Sequence, residues 1–166
     1  LNIDKGKPGF HGPDFRVNMI EYKLPTGWVF KENPDAIINF RDELSKIIAS
    51  YNNSITGVSD DKNIEMSLID NKGLLVGGLA GRTSLGVLFI NLLYVPEVLR
   101  GQGIGAELLT RAEKLAIERG CTKAVLFTMS LQSPGFYSRF GYEKFGVIDC
   151  LPEGNSRIYM SKSLEA

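Results

Sequence analysis

Three glycines alternate in Arg100-Gly101-Gln102-Gly103-Ile104-Gly105, between an apolar run that ends at Val95 and an amphipathic stretch that begins at Ile104. Glycine lets the backbone take positive φ and leaves no side chain between its amide and a ligand. Free N–H groups at a helix start, with the positive end of the helix dipole behind them, converge on one point, and the species they suit is a phosphate or diphosphate. Arg100 at the loop entrance adds a full charge that can pair with phosphate oxygens. A nucleotide P-loop ends in Gly-Lys-Ser or Gly-Lys-Thr, where this chain has Gly105-Ala106-Glu107. A dinucleotide fingerprint is met in form by Gly101, Gly103 and Ala106. Against it, Pro96 to Arg100 make the gap too long for a tight strand-to-helix turn, and no acid for a ribose hydroxyl follows in Thr122–Thr128. The alternative to an anion loop is a glycine-rich helix start that binds nothing.

Few other residues are equipped for catalysis. Cys121 and Cys150 make no disulfide framework in a chain of this size, so they read as reduced thiols rather than as nucleophiles. His11 lies in a Gly- and Pro-rich opening segment and reads as solvated. Glu65, Glu97, Asp149 and Glu153 are candidate bases or acceptor-binding acids, and nothing in the sequence chooses among them.

The elements that must hold the loop follow from periodicity. Ile20–Leu24 alternates as a strand, and Asn33-Pro34 has the form of a helix start ahead of the stripe Ile37, Phe40, Leu44, Ile47, Ile48 and Tyr51, with an end expected near Asn52-Asn53. Ile64–Asp70 and Leu74–Arg82 form a hairpin around Asn71-Lys72-Gly73, and Gly77-Gly78 within it marks a bulge or a close approach. Val87–Val95 is apolar almost throughout and is expected to be a central strand buried on both faces. After the loop, Ile104, Leu108, Leu109, Ala112, Leu115 and Ala116 make a helical stripe that stops at Gly120. Ala124–Thr128 is a short buried strand, Ser133–Phe140 a short helix, and Glu143–Ile148 and Arg157–Ser161 are the last strands. The fold class is therefore α/β, with a mixed, mostly antiparallel sheet flanked by helices.

The chain has 166 residues, enough for one domain with one core. Residues 1–18 read as a leader or arm, with Met19 a candidate start, and residues 19–166 as a single domain. Lys plus Arg equals Asp plus Glu at 19 each, which argues against a dedicated nucleic-acid binder. Val87–Val95 is too short to cross a bilayer and is interrupted by Asn91, so no membrane partner is expected, and reduced thiols point to the cytoplasm.

The motif Arg100-Gly101-Gln102-Gly103-Ile104-Gly105 resembles the R/Q-x-x-G-x-G/A motif of the Gcn5-related N-acetyltransferases (GNAT). The preceding Leu92-Leu93-Tyr94-Val95-Pro96 is similar to that family's fourth strand, and Ser133-Pro134-Gly135-Phe136-Tyr137-Ser138-Arg139-Phe140-Gly141-Tyr142 to its short helix. The resemblance is strongest over Val87–Phe145. It implies an acetyl-CoA-dependent N-acetyltransferase with no metal, acting on a primary amine of a small-molecule or peptide acceptor, with a homodimer as a candidate assembly. It further implies that the fourth and fifth strands splay apart and that the pantetheine arm lies between them on backbone groups of Leu93, Tyr94 and Val95. Gln102, Gly103, Ile104 and Gly105 would hold the diphosphate, Arg100 and Gly101 would flank it, and Ser130 and Ser133 would lie near the cofactor arm. Tyr137 is the matched proton donor to the departing thiolate, and helical spacing turns it from Phe136 and Phe140 toward the cleft edge. Two positions depart from the family pattern. Ser130 stands where Asn is frequent, and Asn91 is the nearest polar residue where the fourth strand often carries an acid. The missing acid leaves a second reading open, a catalytically weak or inactive acyl-CoA-binding module of the same fold.

Overall fold

The computed structural model describes residues 25–26 and 39–165. The strand expected at Ile20–Leu24, the helix start at Asn33-Pro34 and the leader lie outside the described residues. Backbone contacts divide the chain between Phe40 and Arg41, and the architecture that follows is that of the second unit. In chain order it comprises α1 (Phe40–Thr56, whose first residue belongs to the other unit), β1 (Lys62–Ile69), β2 (Leu75–Ser84), β3 (Val87–Tyr94), a 3-10 turn (Glu97–Leu99), α2 (Ile104–Glu118), β4 (Lys123–Met129), α3 (Pro134–Arg139), β5 (Glu143–Cys150) and β6 (Asn155–Ser163). The six strands form one sheet in the order β1-β2-β3-β4-β6-β5, antiparallel except for the β3–β4 pair. The mixed, mostly antiparallel sheet expected from the pattern is thus present, with β3 and β4 in the places of the fourth and fifth predicted strands.

Side chains alternate across a strand, so each strand has one core face. Ile64, Leu79, Leu88, Ile90, Ala124, Leu126 and Met160 are buried on one side of the sheet. The α2 stripe of Leu108, Leu109, Ala112 and Ala116 belongs to the same buried cluster. Ala112 and Ala116 are wholly buried, and their small size brings the helix close to the strands. Burying Leu88 or Leu109 stabilises the domain by roughly 1.5–3 kcal/mol each. The helix stops as expected at Gly120, whose φ is +82°. Gly120 N donates to Ile117 O at 2.8 Å and Cys121 N to Ala116 O at 2.9 Å, the paired bonds of a Schellman motif.

Three expectations change. β3 is buried on one face only. Leu88 and Ile90 are inside, whereas Asn91, Leu92 and Tyr94 are exposed, because α2 covers the opposite side. α1 continues past Asn52-Asn53 to Thr56, and Gly57 at φ +71° ends it, its N–H donating to Asn53 O at 2.8 Å. The α1 apolar stripe from Leu44 to Tyr51 stays exposed, and no residue of the helix is buried. No helix among the described residues is long and apolar enough to cross a membrane.

Candidate active site

β3 and β4 pair only from Val87↔Lys123 to Ile90↔Leu126. Beyond Ile90, β3 follows β2 as far as Tyr94, and β4 follows β6 as far as Met129, so the sheet opens between them. The cause is local. β2 pairs Gly81 with Ile90 and Ala80 with Leu92, which leaves Asn91 as the extra residue of a β-bulge. A bulge bends its strand and raises its twist. Glycines let β3 lie tight against β2. A Cβ on Gly77 would stand 2.7 Å from Tyr94 O, and one on Gly81 would collide with Phe89 O. The close approach expected at Gly77-Gly78 is therefore present, and the β1–β2 register also shifts beside Gly77, between Leu68 and Ile69; the bulge at Asn91 is a second irregularity. Asn91–Tyr94 consequently has no neighbour in the sheet on the β4 side, and its alternate backbone groups face the opening.

The glycine loop lies directly after this stretch. Gly101 (φ +75°) and Gly103 (φ +80°) are both left-handed, and a Cβ on either would meet nothing within 4 Å. Glycine is thus required by conformation, and the space beside each is open. The first backbone bond of α2 runs from Glu107 N to Gly103 O at 3.0 Å. The N–H groups from Gly101 to Ala106 have no acceptor among the described residues. A run of unpaired amides at the start of a 15-residue helix has the geometry that suits an anion. The side chains around it brace the loop. Gln102 Nε2 donates to Val98 O at 3.0 Å, and Arg100 Nε to Val95 O at 3.1 Å with Nη1 3.4 Å from Glu97 Oε1. Arg100, at the loop entrance, thus has its Nε and Nη1 engaged with the loop itself.

α3 closes the third side. Phe136 reaches the start of α2, its Cζ 3.5 Å and Val95 Cγ2 3.7 Å from where a Gly105 Cβ would stand. Tyr137 is 9% exposed, more deeply placed than Phe136 or Phe140. The short helix is followed at once by Gly141-Tyr142, and the Tyr142 ring packs edge-on against Tyr137 at 5.9 Å while Phe136 does so at 5.0 Å. The Tyr137 hydroxyl has no hydrogen-bond partner among the described residues, and burial raises its pKa above the ordinary phenol value.

Behind Tyr142 stands an ion pair that sequence reading passed over. Lys162 Nζ lies 2.6 Å from Glu113 Oε2, and Glu113 is a buried residue of α2. The Tyr142 hydroxyl and Glu113 Oε1 are both buried without a partner. Burial first, and the Glu113 carboxylate second, push the Tyr142 phenol far up, so it stays neutral. Glu113 occupies a position that the helical stripe assigns to the polar side; a pairing with Lys162 across 49 residues leaves no local signal.

The remaining candidates divide. Leu93, Tyr94 and Val95 line the end of β3 at the opening, with Leu93 and Val95 packed against the core. Ser133 precedes α3 and makes no side-chain cap bond, so its hydroxyl is uncommitted. Ser130 is committed to β6: its Oγ accepts from Ser156 N at 3.0 Å and its N–H donates to Ser156 O at 2.8 Å. Gln132, not singled out from the sequence, folds over the end of β4, where its Oε1 accepts from Met129 N at 3.2 Å and Thr128 Oγ1 at 3.3 Å. Glu97 and Glu65 are exposed, and Asp149 and Glu153 lie on β5 and in the turn after it. No group of three or more metal-ligating side chains occurs among the described residues.

Comparisons with known proteins agree with this geometry. The profile of the family described as Acetyltransferase (GNAT) family matches residues 27–142. The chain is 36% identical over 115 residues, 69% of its own length and 84% of the relative's, to acetyltransferase Atu2258 of Agrobacterium fabrum. It is 38% identical over 94 residues, 56% of its length and 69% of the relative's, to blasticidin-S acetyltransferase of Streptomyces morookaense. At the level of fold alone it is similar to an aminoglycoside 6′-N-acetyltransferase solved in complex with coenzyme A, with a TM-score of 0.54, 18% identity, and coverage of 84% of this chain and 98% of that one.

Proposed function

Because the chain belongs to the acetyltransferase (GNAT) family, we propose that it is an N-acetyltransferase that moves acetyl from acetyl-CoA to a primary amine by direct attack in a ternary complex. The observation that carries this reading is the adjacency of two features: a sheet opened between β3 and β4, and a helix start with unpaired amides immediately after β3. The open sides of Gly101 and Gly103 and the free N–H groups beside them fit a diphosphate. The opening fits an extended arm that hydrogen-bonds as a strand does. Gln102, Gly103, Ile104 and Gly105 then hold the diphosphate through backbone N–H, and Leu93, Tyr94 and Val95 offer backbone groups to the arm.

In this reading the amine arrives neutral and attacks the thioester carbon, held in attack geometry by the two bound partners. A backbone N–H of β3 near Leu93 or Tyr94 stabilises the developing oxyanion. The thiolate leaves and takes a proton from Tyr137, whose raised pKa keeps it protonated at neutral pH, while the proton shed by the attacking nitrogen as the amide forms passes to water, from which Tyr137 is reprotonated. Asn91 has no basic group, so the amine's own equilibrium supplies the neutral form. The acceptor is a small molecule or peptide; a relative named for blasticidin S supports the small-molecule class. The free thiols Cys121 and Cys150 support a cytoplasmic setting.

Titration calorimetry with acetyl-CoA tests the cofactor half. Wild-type protein is expected to bind, and Gly103→Glu, which sets a carboxylate against the diphosphate and strains a left-handed position, is expected to show no binding while remaining folded by circular dichroism. Equal affinity in a folded Gly103→Glu protein would remove the loop from the account.

A further inference from the structure

On the face of the sheet away from α2, β1 carries Glu65 on one side of the opening and β6 carries Arg157 on the other. Glu65 is exposed on β1, and the register places it opposite Ala80, which is itself opposite Leu92 at the edge of the opening. Ala80 and its neighbour Gly78 on that face are small, and the other neighbour, Arg82, is directed to Asp61 and the Phe89 ring, which leaves the space above Ala80 between Leu92 and Glu65 to small side chains. Across the opening, Arg157 projects from β6 on the same face, with its guanidinium 5.1 Å from the centre of the Phe127 ring. The cation nearest Glu65 in the register is Arg82, and it is engaged elsewhere, 3.2 Å from Asp61 and over the Phe89 ring at 4.7 Å. Among the described residues the Glu65 carboxylate has one polar contact, Asn63 Nδ2 at 3.4 Å, and no ion-pair partner.

Resting on the acetyl transfer proposed above, we infer that Glu65 binds a second cationic group of the acceptor and so selects diamines and larger polycations over monoamines. Two strand spacings of about 4.8 Å separate β1 from β3, and a further one spans half or more of the opening. Subtracting the reach of a glutamate side chain leaves roughly 7–10 Å between the attacked nitrogen and the carboxylate's partner. That span corresponds to a chain of about five to seven carbons between two amines. Arg157 repels a cation on the far side, so the acceptor is oriented with its charged tail toward β1.

The test is kcat/KM for diaminoalkanes of three to eight carbons and for hexylamine, with wild-type protein and Glu65→Gln, at about pH 8 where both ends are mostly charged. Wild-type protein is expected to prefer the mid-length diamines to hexylamine by about fivefold after division by two for their equivalent ends, the size of a partly exposed ion pair. Glu65→Gln, an exposed and isosteric change, should flatten the length dependence and bring that ratio near one. A wild-type enzyme that ignores the second amine, or a preference that survives Glu65→Gln, overturns the inference and leaves the transfer reading standing. An equal fall for hexylamine and diamines in Glu65→Gln also overturns it, since that pattern belongs to a base. Binding of acetyl-CoA without transfer to any amine would instead remove the transfer reading, and with it the inference.

Discussion

Tyr137 is a phenol kept from water by Phe136 and Tyr142, and burial raises its pKa above the ordinary value near 10. A raised pKa means that the proton is still in place when the pH has climbed to the range where acceptor amines lose theirs. The pH–rate profile should therefore rise with the neutral fraction of the amine and show no falling limb below about pH 10. A fall within that range, absent from Tyr137→Phe, would show the hydroxyl ionising earlier than its surroundings allow. Tyr137→Phe removes only the oxygen, so turnover should drop by roughly 10²-fold with acetyl-CoA affinity nearly unchanged. Turnover within a factor of about three would make Tyr137 a wall of the site. Tyr137 stood out in the sequence because its Phe-Tyr and Gly-Tyr neighbours match the short-helix pattern of the family. The brace from Arg100 to Val95 O was not legible because its partner is a backbone group that residue identity does not display. Gln132 escaped for the same reason, since its acceptor role is toward the Met129 amide.

At the scale of elements, the β-bulge at Asn91 opens the sheet. Deleting Asn91 should restore unbroken pairing with β2, keeping Leu92, Leu93 and Tyr94 opposite Ala80, Leu79 and Gly78 but removing the bend that opens the sheet. The domain is expected to lose acetyl-CoA binding in calorimetry, with its far-ultraviolet circular dichroism largely kept; full affinity in the deletion would separate the opening from the bulge. A second element-level prediction concerns the β2–β3 turn. Asp60 accepts from Leu85 N at 2.6 Å and Gly86 N at 2.7 Å, tying the turn to the segment before β1. Burial raises the Asp60 pKa, and the two backbone donors outweigh it, so the folded carboxyl titrates below its ordinary 3.8. Its contribution is present above that ordinary value and is lost as pH falls through the lower folded one. Asp60→Asn should cost about 1 kcal/mol in urea unfolding near neutral pH and blunt the loss of stability below about pH 4. An unchanged midpoint at both pH values would contradict it. Strand and helix positions were legible here because period-2 and period-3.6 patterns survive in the sequence, as in Leu88/Ile90 and Leu108/Leu109/Ala112. The bulge or close approach read at Gly77-Gly78 is present, whereas the bulge at Asn91 was not legible because glycine marks the strand that must approach closely, not the partner that carries the extra residue.

For the whole molecule, the site's parts are spread over Val87–Ser156 and depend on one core beneath the sheet. The alternation of elements was enough to give the fold class, whereas exposure was not. β3 reads as doubly buried from its apolar run, yet α2 covers one face only, and which face a helix takes is a three-dimensional fact. A protein starting at Met19 is predicted to bind acetyl-CoA within about twofold of the full chain, since none of the matched motifs precedes it. Loss of folding in that truncation would assign the first 18 residues to the core. The account as a whole turns on transfer, and one assay reaches it: release of free coenzyme A thiol from acetyl-CoA, followed with a thiol reagent as a panel of primary amines is added. The prediction is thiol release that requires an amine, rises with its neutral fraction and is absent in Gly103→Glu. Tight binding of acetyl-CoA with no amine-dependent thiol from any member of the panel would contradict it.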